Sequence, residues 1–156
     1  MSTMTRWMDS PIGGLRIHVS ADLVTAIDFG AAAPRSRRIT HALLDRAQQE
    51  LTEYFAGERT DFDLPLANDG TEFQKKVWAE LRRIPYGETV SYADIARRLG
   101  YEPVISRAVG AANGANPIPI VVPCHRVIGS DGSLTGYAGG LERKKTLLDL
   151  EMPGLF

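Results

Sequence analysis

A short connector at residues 65–70 divides this sequence into two parts with different hydrophobic patterns. Its Asp69 and Gly70 are residues that favour turns. Before the connector, a strand-like alternation of apolar and polar residues is followed by one stretch of helical spacing, whereas after it helical spacing predominates up to the cysteine. The 156 residues suffice for one ordinary domain or two small ones. We therefore predict an N-terminal domain over residues 1–70 and a C-terminal domain over residues 71–156.

The N-terminal part has the pattern of a small α/β unit. Leu15, Ile17 and Val19 alternate with polar residues, which predicts a half-buried strand, and residues 23–29 offer a second strand. A helix that ends near Gly57 is indicated by apolar residues at helical spacing, namely Leu44, Ala47, Leu51 and Tyr54. We predict a small antiparallel sheet with one helix, and hence an α+β fold for the whole chain.

The C-terminal part is predicted to be mostly helical up to its cysteine. Thr71 and Gln74 form a capping-box pattern at the start of one helix. Ser91 is a good N-cap for a short second helix that ends at Gly100, and a third helix follows over about residues 104–113. Two short helices joined by a tight turn indicate a helix-turn-helix. Helix pairs that simply pack together are a commoner arrangement, so this pattern alone is weak.

The third helix has an unusually small outward face. Arg107 stands between Ser106 and Ala108, and the small residues Gly110, Ala111 and Ala112 follow. Such a helix suits close approach to a narrow groove, with one residue inserted as a wedge; the alternative is a packed core helix with a solvated arginine. The net charge is −1, but residues 71–156 carry more basic than acidic side chains. This excess is compatible with nucleic-acid contact and does not require it.

The single cysteine, Cys124, rules out an internal disulfide. The three histidines lack ligand-like spacing, and residues 1–70 contain no cysteine, so we predict no metal site. No apolar stretch approaches the roughly 20 residues needed to cross a bilayer. The first seven residues do not resemble a signal peptide. We therefore expect a cytoplasmic protein without a membrane partner.

Cys124 lies in residues 118–129, where two prolines bracket an apolar run. In an irregular segment after a proline, Cys124 and His125 can face the same cleft. A thiolate is the nucleophilic form of cysteine, and a nearby imidazole or cation favours it. Arg126 adds a third polar group, although it can equally serve as a structural clamp on the backbone. A lone cysteine is more often a small buried hydrophobic residue, so its neighbours must decide.

Residues 123–127, Pro-Cys-His-Arg-Val, closely resemble the active-site motif of the O6-alkylguanine-DNA alkyltransferases, the methylated-DNA–protein-cysteine methyltransferases. The resemblance covers about residues 71–151, and it reaches the N-terminal part only through length and strand pattern. Further segments that match the family in order and spacing are Thr71-Glu72-Phe73-Gln74, Val77-Trp78, Ile84-Pro85-Tyr86-Gly87-Glu88-Thr89, Arg107-Ala108-Val109-Gly110, Asn116-Pro117, Gly136-Tyr137-Ala138-Gly139-Gly140 and Glu151.

The resemblance implies DNA repair by direct reversal of damage. One alkyl group would pass from O6-alkylguanine, or from O4-alkylthymine, to Cys124, without a cofactor and only once per molecule. It also implies that the C-terminal domain is a winged helix-turn-helix that binds double-stranded DNA in the minor groove. The damaged nucleotide would be flipped out of the helix, because a protein thiol cannot otherwise reach the alkyl group. We expect the protein to act as a monomer.

By the same resemblance, Cys124 is the alkyl acceptor and His125 is its base, acting through a water. Glu151 would orient His125, a variant of the triad arrangement. Asn116 would brace the active-site segment, and Tyr92 would donate a hydrogen bond to N3 of the flipped guanine. Without the resemblance, the sequence alone would indicate ordinary structural roles: a solvated helix end for Glu151, a turn residue for Asn116 and an amphipathic aromatic at a helix start for Tyr92.

The resemblance also assigns the residues expected to contact DNA. Arg107 would fill the place of the extruded base, and its small neighbours Ser106 and Ala108 would allow entry into the groove. Ser106 departs from the alanine usual at this position, which should leave groove entry intact. Tyr92 and Arg126 complete the set.

The guanine pocket would be formed by Val127, Tyr137, Ala138 and Gly139. The backbone amide near Ala138 would contact O6, and the carbonyls near Cys124 and Val127 would read the exocyclic amine. Many relatives have serine in place of Ala138. Alanine keeps a backbone contact, although loop stiffness and the preference for bulky adducts can change.

Two other functions fit parts of the pattern. A cysteine hydrolase would use Cys124, His125 and Glu151, but nothing in the sequence indicates an oxyanion hole or a peptide pocket. A non-catalytic winged-helix module would bind DNA with Cys124 buried and inert. Reaction of the thiol with a free O6-benzylguanine-type base would exclude the second.

Overall fold

A computed structural model describes residues 3–35 and 39–155 of the chain. It separates into two compact units, with the division between Asn68 and Asp69. This division falls within the predicted connector. The confirmed fold class is α+β, with a small antiparallel-sheet domain followed by a helical domain.

The N-terminal unit is a three-stranded antiparallel sheet with one helix. The strands β1 (Met4–Met8), β2 (Leu15–Ser20) and β3 (Leu23–Phe29) lie in chain order, so β2 is central. Helix α1 (Ala42–Phe55) packs on β1 and β2. The alternating apolar residues of β2 are all buried against it, as their pattern predicts. Strand β1 was not foreseen, because it has little alternation of its own.

A buried arginine ties β1 to α1 within this unit. Arg6 is 3% exposed and donates hydrogen bonds to the Asp45 carboxylate, the Gln48 amide and the Ile39 carbonyl. Because a buried charge is tolerated only when paired and hydrogen-bonded, this network fixes the helix on the sheet.

The C-terminal unit contains four helices: α2 (Glu72–Leu81), α3 (Tyr92–Arg98), α4 (Ser106–Gly114) and α5 (Leu141–Glu151). Both expected N-caps are present, since Thr71 and Ser91 each form a complete capping box. Trp78 of α2 donates its indole N–H to the Ala112 carbonyl of α4 at 2.8 Å. The bond fixes α4, whose outward face is described below.

Two features of this unit differ from the prediction. The predicted helix from residue 104 begins as a 3₁₀ turn, Pro103–Ile105, and becomes α-helical only at Ser106. In addition, two-residue strands β4 (Val90–Ser91) and β5 (Val127–Ile128) pair in parallel. This pairing places the start of α3 beside the segment that follows Cys124.

Among the described residues, no helix is both long and apolar enough to cross a membrane. The same part of the chain contains no cluster of three or more His, Cys, Asp or Glu side chains that could hold a metal ion.

Candidate active site

Cys124 begins a 3₁₀ turn, Cys124–Arg126, that follows an irregular buried segment. Within that segment the buried Ile120 has φ of 73°, a conformation that is unfavourable for a β-branched residue. The Asn116 side chain holds the segment at two points, donating to the Val122 carbonyl at 2.8 Å and accepting from the Ile118 amide at 3.0 Å. Asn116 thus offsets local strain and fixes the approach to Cys124.

The Cys124 thiol is nearly enclosed, with 4% of the residue exposed. Burial raises the pKa of this thiol, and hydrogen bonding from Asn116 and Tyr137 and the positive charge of Lys144 offset the rise in part. The resting group is therefore a thiol at neutral pH. To act as a nucleophile it must lose its proton to a base as it reacts.

His125, the next residue in the chain, supplies a basic nitrogen. Its Nε2 lies 2.7 Å from a Glu151 carboxylate oxygen, and both side chains are fully buried. A carboxylate accepts only, so Nε2 carries the hydrogen and Nδ1 keeps its lone pair. Nδ1 is buried and has no hydrogen-bond partner within the described part of the chain. Burial lowers the pKa of His125, so the ring is neutral and able to take up a proton.

Arg126 is also bound to Glu151, which corrects its expected place at the DNA. Its Nε and one terminal nitrogen donate to the two Glu151 oxygens at 2.7 and 3.1 Å. The other terminal nitrogen donates to the Ile84 carbonyl at 2.7 Å, and the guanidinium lies 5.7 Å from the centre of the Tyr86 ring. With 5% of the residue exposed, Arg126 is a structural clamp on Glu151 rather than a phosphate contact.

Glu151 therefore serves two partners with one buried negative charge. Its burial raises its pKa, but the hydrogen bonds from His125 and Arg126 and the positive charge of Arg126 prevail and lower the pKa to about 2. The cluster consists of a neutral imidazole, a carboxylate and a guanidinium, and so it carries no net charge. Within it, Glu151 orients His125 and can stabilise the imidazolium that forms on proton uptake.

These pKa shifts predict a loss of stability in acid. The unfolded chain binds a proton at His125 below about pH 6.5, and at Glu151 below about pH 4.5, whereas the folded chain resists both protonations. The free energy of unfolding should thus decrease as the pH is lowered below 6.5. Loss of the Glu151 charge alone accounts for about 3 kcal/mol of this decrease between pH 4.5 and pH 2. Denaturant unfolding at a series of pH values measures this, and a flat profile down to pH 4 would contradict it.

One residue expected to line the guanine pocket, Val127, contacts Lys144. Val127 is fully buried, and its carbonyl accepts a hydrogen bond from Lys144 Nζ at 2.6 Å. Lys144 Nζ also donates to the Thr135 carbonyl at 2.8 Å, and the Tyr92 hydroxyl donates to that same carbonyl at 3.3 Å. Thr135 belongs to the loop that carries Tyr137. The structure therefore brings Tyr92 and this loop together on one carbonyl oxygen.

The loop itself has mixed exposure. Ala138 is exposed, Tyr137 is half-buried and Gly139 is buried, and the Gly139 carbonyl accepts from Arg143 at 3.0 Å. The Cys124 carbonyl, expected to read the exocyclic amine of guanine, accepts from the Asn113 side chain at 3.2 Å. A carbonyl oxygen has two lone pairs, so each of these acceptors retains capacity for a base.

The outward face of α4 is formed by small residues around a single long one. Arg107 and Ala108 are exposed and Ser106 is partly so, whereas Val109 and Ala112 are buried. Val104, in the preceding 3₁₀ turn, is 80% exposed. This face can approach a narrow groove closely, with Arg107 projecting from it.

Two residues of the site were missed from the sequence, Asn113 and Lys144. Lys144 could have been found, because it lies seven residues before Glu151 on α5 and shares its buried stripe with Leu147 and Leu148. Asn113 has no comparable signal, since its partner is a backbone carbonyl.

This helical domain combines a buried thiol, a neighbouring histidine bound to a carboxylate, and a helix, α4, whose exposed face is small. These features fit the class of DNA-binding proteins with a nucleophilic cysteine. Residues 72–153 match the family described as "6-O-methylguanine DNA methyltransferase, DNA binding domain", and residues 4–68 match its "ribonuclease-like domain". The chain belongs to the 6-O-methylguanine DNA methyltransferase family.

Individual relatives agree over nearly the whole chain. A methylated-DNA--protein-cysteine methyltransferase of Methanosarcina acetivorans is 60% identical, covering 92% of this chain and 94% of the relative. One from Mycolicibacterium paratuberculosis is 50% identical, covering 94% and 90%. Among solved structures, the Mycobacterium tuberculosis OGT in complex with DNA superposes with a TM-score of 0.85 at 46% identity, covering 96% of this chain and 95% of that one.

Proposed function

We propose that this protein repairs DNA by moving the alkyl group of O6-alkylguanine onto Cys124. The observation that carries the proposal is the buried Cys124 in a helix-turn-helix domain, followed in the chain by a histidine that a carboxylate orients. The distance from His125 Nε2 to the Glu151 carboxylate oxygen is 2.7 Å. The relatives named methylated-DNA--protein-cysteine methyltransferase support the same activity. The chain has one cysteine, so the acceptor in such a transfer is Cys124.

The reaction is one in-line displacement at the alkyl carbon. His125 Nδ1 takes the thiol proton through a water, and the Cys124 sulfur forms a bond to the carbon as the carbon–O6 bond breaks. The leaving guanine carries the electron pair of that bond. A hydrogen bond from the Tyr92 hydroxyl to N3 and the amide near Ala138 at O6 offset its developing charge. The same geometry suits O4-alkylthymine.

The DNA is double-stranded and is bound through its minor groove by α4. Arg107 enters the base stack and fills the space left by the flipped nucleotide, while the small Ser106 and Ala108 permit close approach. Tyr92, at the start of α3, meets the flipped base. The product on Cys124 is a thioether, which thiol exchange does not reverse, so each molecule, acting as a monomer, reacts once.

The first test is the mass of the intact protein after incubation with a duplex that carries one O6-methylguanine. We expect a gain of one methylene unit on Cys124, restored guanine in the DNA and no reaction beyond one equivalent. The matched control is Cys124→Ser, which should bind the same duplex and gain no mass. DNA binding by the wild-type protein with unchanged mass would instead favour the non-catalytic module, and turnover beyond one equivalent would favour a hydrolase.

A further inference from the structure

Lys144 is an unusual residue in this site, because it is a fully buried lysine without a carboxylate partner. The residue is 0% exposed, and among the described residues its ammonium donates to two carbonyls, those of Val127 and Thr135. Its nearest aromatic neighbour is the Tyr92 ring, with the nitrogen 5.9 Å from the ring centre. In the described part of the chain, no acidic side chain forms an ion pair with it.

Packing alone does not account for a lysine at this position. Burial lowers the pKa of Lys144 to about 8, which means that the protonated form destabilises the folded state at neutral pH. An apolar side chain of similar length would fill the same volume without that penalty. Lys145, the next residue, is exposed and makes no such contacts. The buried ammonium therefore has a purpose other than stability.

The carbonyl of Thr135 suggests that purpose. It accepts from Lys144 at 2.8 Å and from the Tyr92 hydroxyl at 3.3 Å. In the proposed reaction the Tyr92 hydroxyl donates to N3 of the flipped guanine, so it must leave the Thr135 carbonyl. Lys144 stays hydrogen-bonded to that carbonyl during the exchange, so the loop remains tied to α5 when the Tyr92 hydroxyl turns to the base.

We propose that Lys144 is a positioning residue that keeps the Thr135 carbonyl satisfied while Tyr92 exchanges that acceptor for the base. Its second hydrogen bond, to Val127, fastens the same loop to β5 beside Cys124. Lys144 thus holds the pocket loop in place and sets the direction of the Tyr92 hydroxyl. This inference rests on the proposed function, in which Tyr92 donates to the purine.

The experiment compares Lys144→Met with the matched exposed variant Lys145→Met. The rate constant of alkyl transfer is measured with an O6-methylguanine duplex and with free O6-benzylguanine. We expect Lys144→Met to be at least about tenfold slower with both substrates, the size expected for loss of a positioned hydrogen bond in the transition state. Lys145→Met should react at the wild-type rate. In a Cys124→Ser background, both variants should bind the duplex with unchanged affinity.

Two further readouts separate positioning from simple stability. Lys144→Met should melt no lower than the wild type, while amide hydrogen exchange across residues 133–140 becomes faster. Because Lys144 acts through Tyr92, the loss caused by Tyr92→Phe should be smaller in the Lys144→Met background than in the wild type. Lys144→Gln, which keeps a neutral donor, is the second variant, and it should react at a rate between those of the wild type and Lys144→Met.

The inference is overturned if Lys144→Met reacts at the wild-type rate, if its slower reaction matches an equal loss of DNA affinity, or if the effects of the Tyr92 and Lys144 substitutions multiply independently. Should Lys144→Met fail to fold, a Lys144→Gln protein that reacts at the wild-type rate overturns it as well. If the wild-type protein takes up no alkyl group from either substrate, the proposed function itself is overturned. Results with the Lys144 variants bear only on the role of Lys144.

Discussion

Replacing Glu151 with glutamine is expected to lower the free energy of unfolding by about 3 kcal/mol and to slow alkyl transfer about 100-fold. Glutamine has the size of glutamate but no charge, so Arg126 would keep its buried positive charge without a counter-ion. Removing one partner of a buried ion pair is costly for this reason. The two short bonds from Arg126 to Glu151, at 2.7 and 3.1 Å, would become weak or lost.

The effect on rate comes from His125. Without a carboxylate at Nε2, the imidazolium formed on proton uptake loses its stabilisation, and the tautomer with a free Nδ1 is no longer enforced. Chemical denaturation and single-turnover kinetics measure the two effects. Glu142→Gln is the matched control, since Glu142 lies on the same helix with an exposed side chain. A Glu151→Gln protein with wild-type stability and rate would show that the pair is not used.

Replacing Arg107 with alanine is expected to slow transfer from an O6-methylguanine duplex about 100-fold and to leave the reaction with free O6-benzylguanine within about twofold of wild type. Flipping a nucleotide out of the stack requires a few kcal/mol, and the Arg107 side chain offsets this by occupying the vacated space. A free base needs no flipping. The contrast between the two substrates therefore isolates the step in which Arg107 acts.

Arg97→Ala is the control for the loss of charge alone. Arg97 is an exposed cation of the same domain, on α3, and its partner is the surface residue Asp94. Its removal weakens general attraction to phosphate but leaves the α4 face unchanged. If Arg107→Ala and Arg97→Ala slow the duplex reaction equally, Arg107 acts only as a positive charge. If Arg107→Ala slows the reaction with free O6-benzylguanine as much as the reaction with the duplex, the substitution disturbs the guanine pocket instead.

The elements that could be predicted from the sequence are those specified by nearby residues. Strand β3 was predicted with its observed bounds, Leu23–Phe29, and the predicted capping box at Thr71 and N-cap at Ser91 are both formed. Turn residues and helix caps interact with backbone groups only a few positions away, so they can be recognised in a single sequence. The family motif added what spacing alone did not, namely the approach of Glu151 to His125 across 26 positions.

The elements that escaped prediction depend on contacts distant in sequence. The parallel pair β4–β5 has two residues in each strand, too few for an alternating pattern, and its strands are separated by two helices and two 3₁₀ turns. Arg126 was expected at the DNA from the family resemblance, with a structural clamp on the backbone as the alternative. Its burial depends on Glu151 arriving from α5, which no local pattern reveals.

The position of Glu151 also bears on how the protein is made. Cys124 and His125 precede α5 in the chain, and until α5 has folded against the turn His125 lacks the carboxylate that fixes its proton. The nascent thiol is then an ordinary cysteine, without an ordered base. Reactivity appears only when α5 folds against the turn. A molecule that can react once is in this way kept from being consumed before its C-terminal unit has folded.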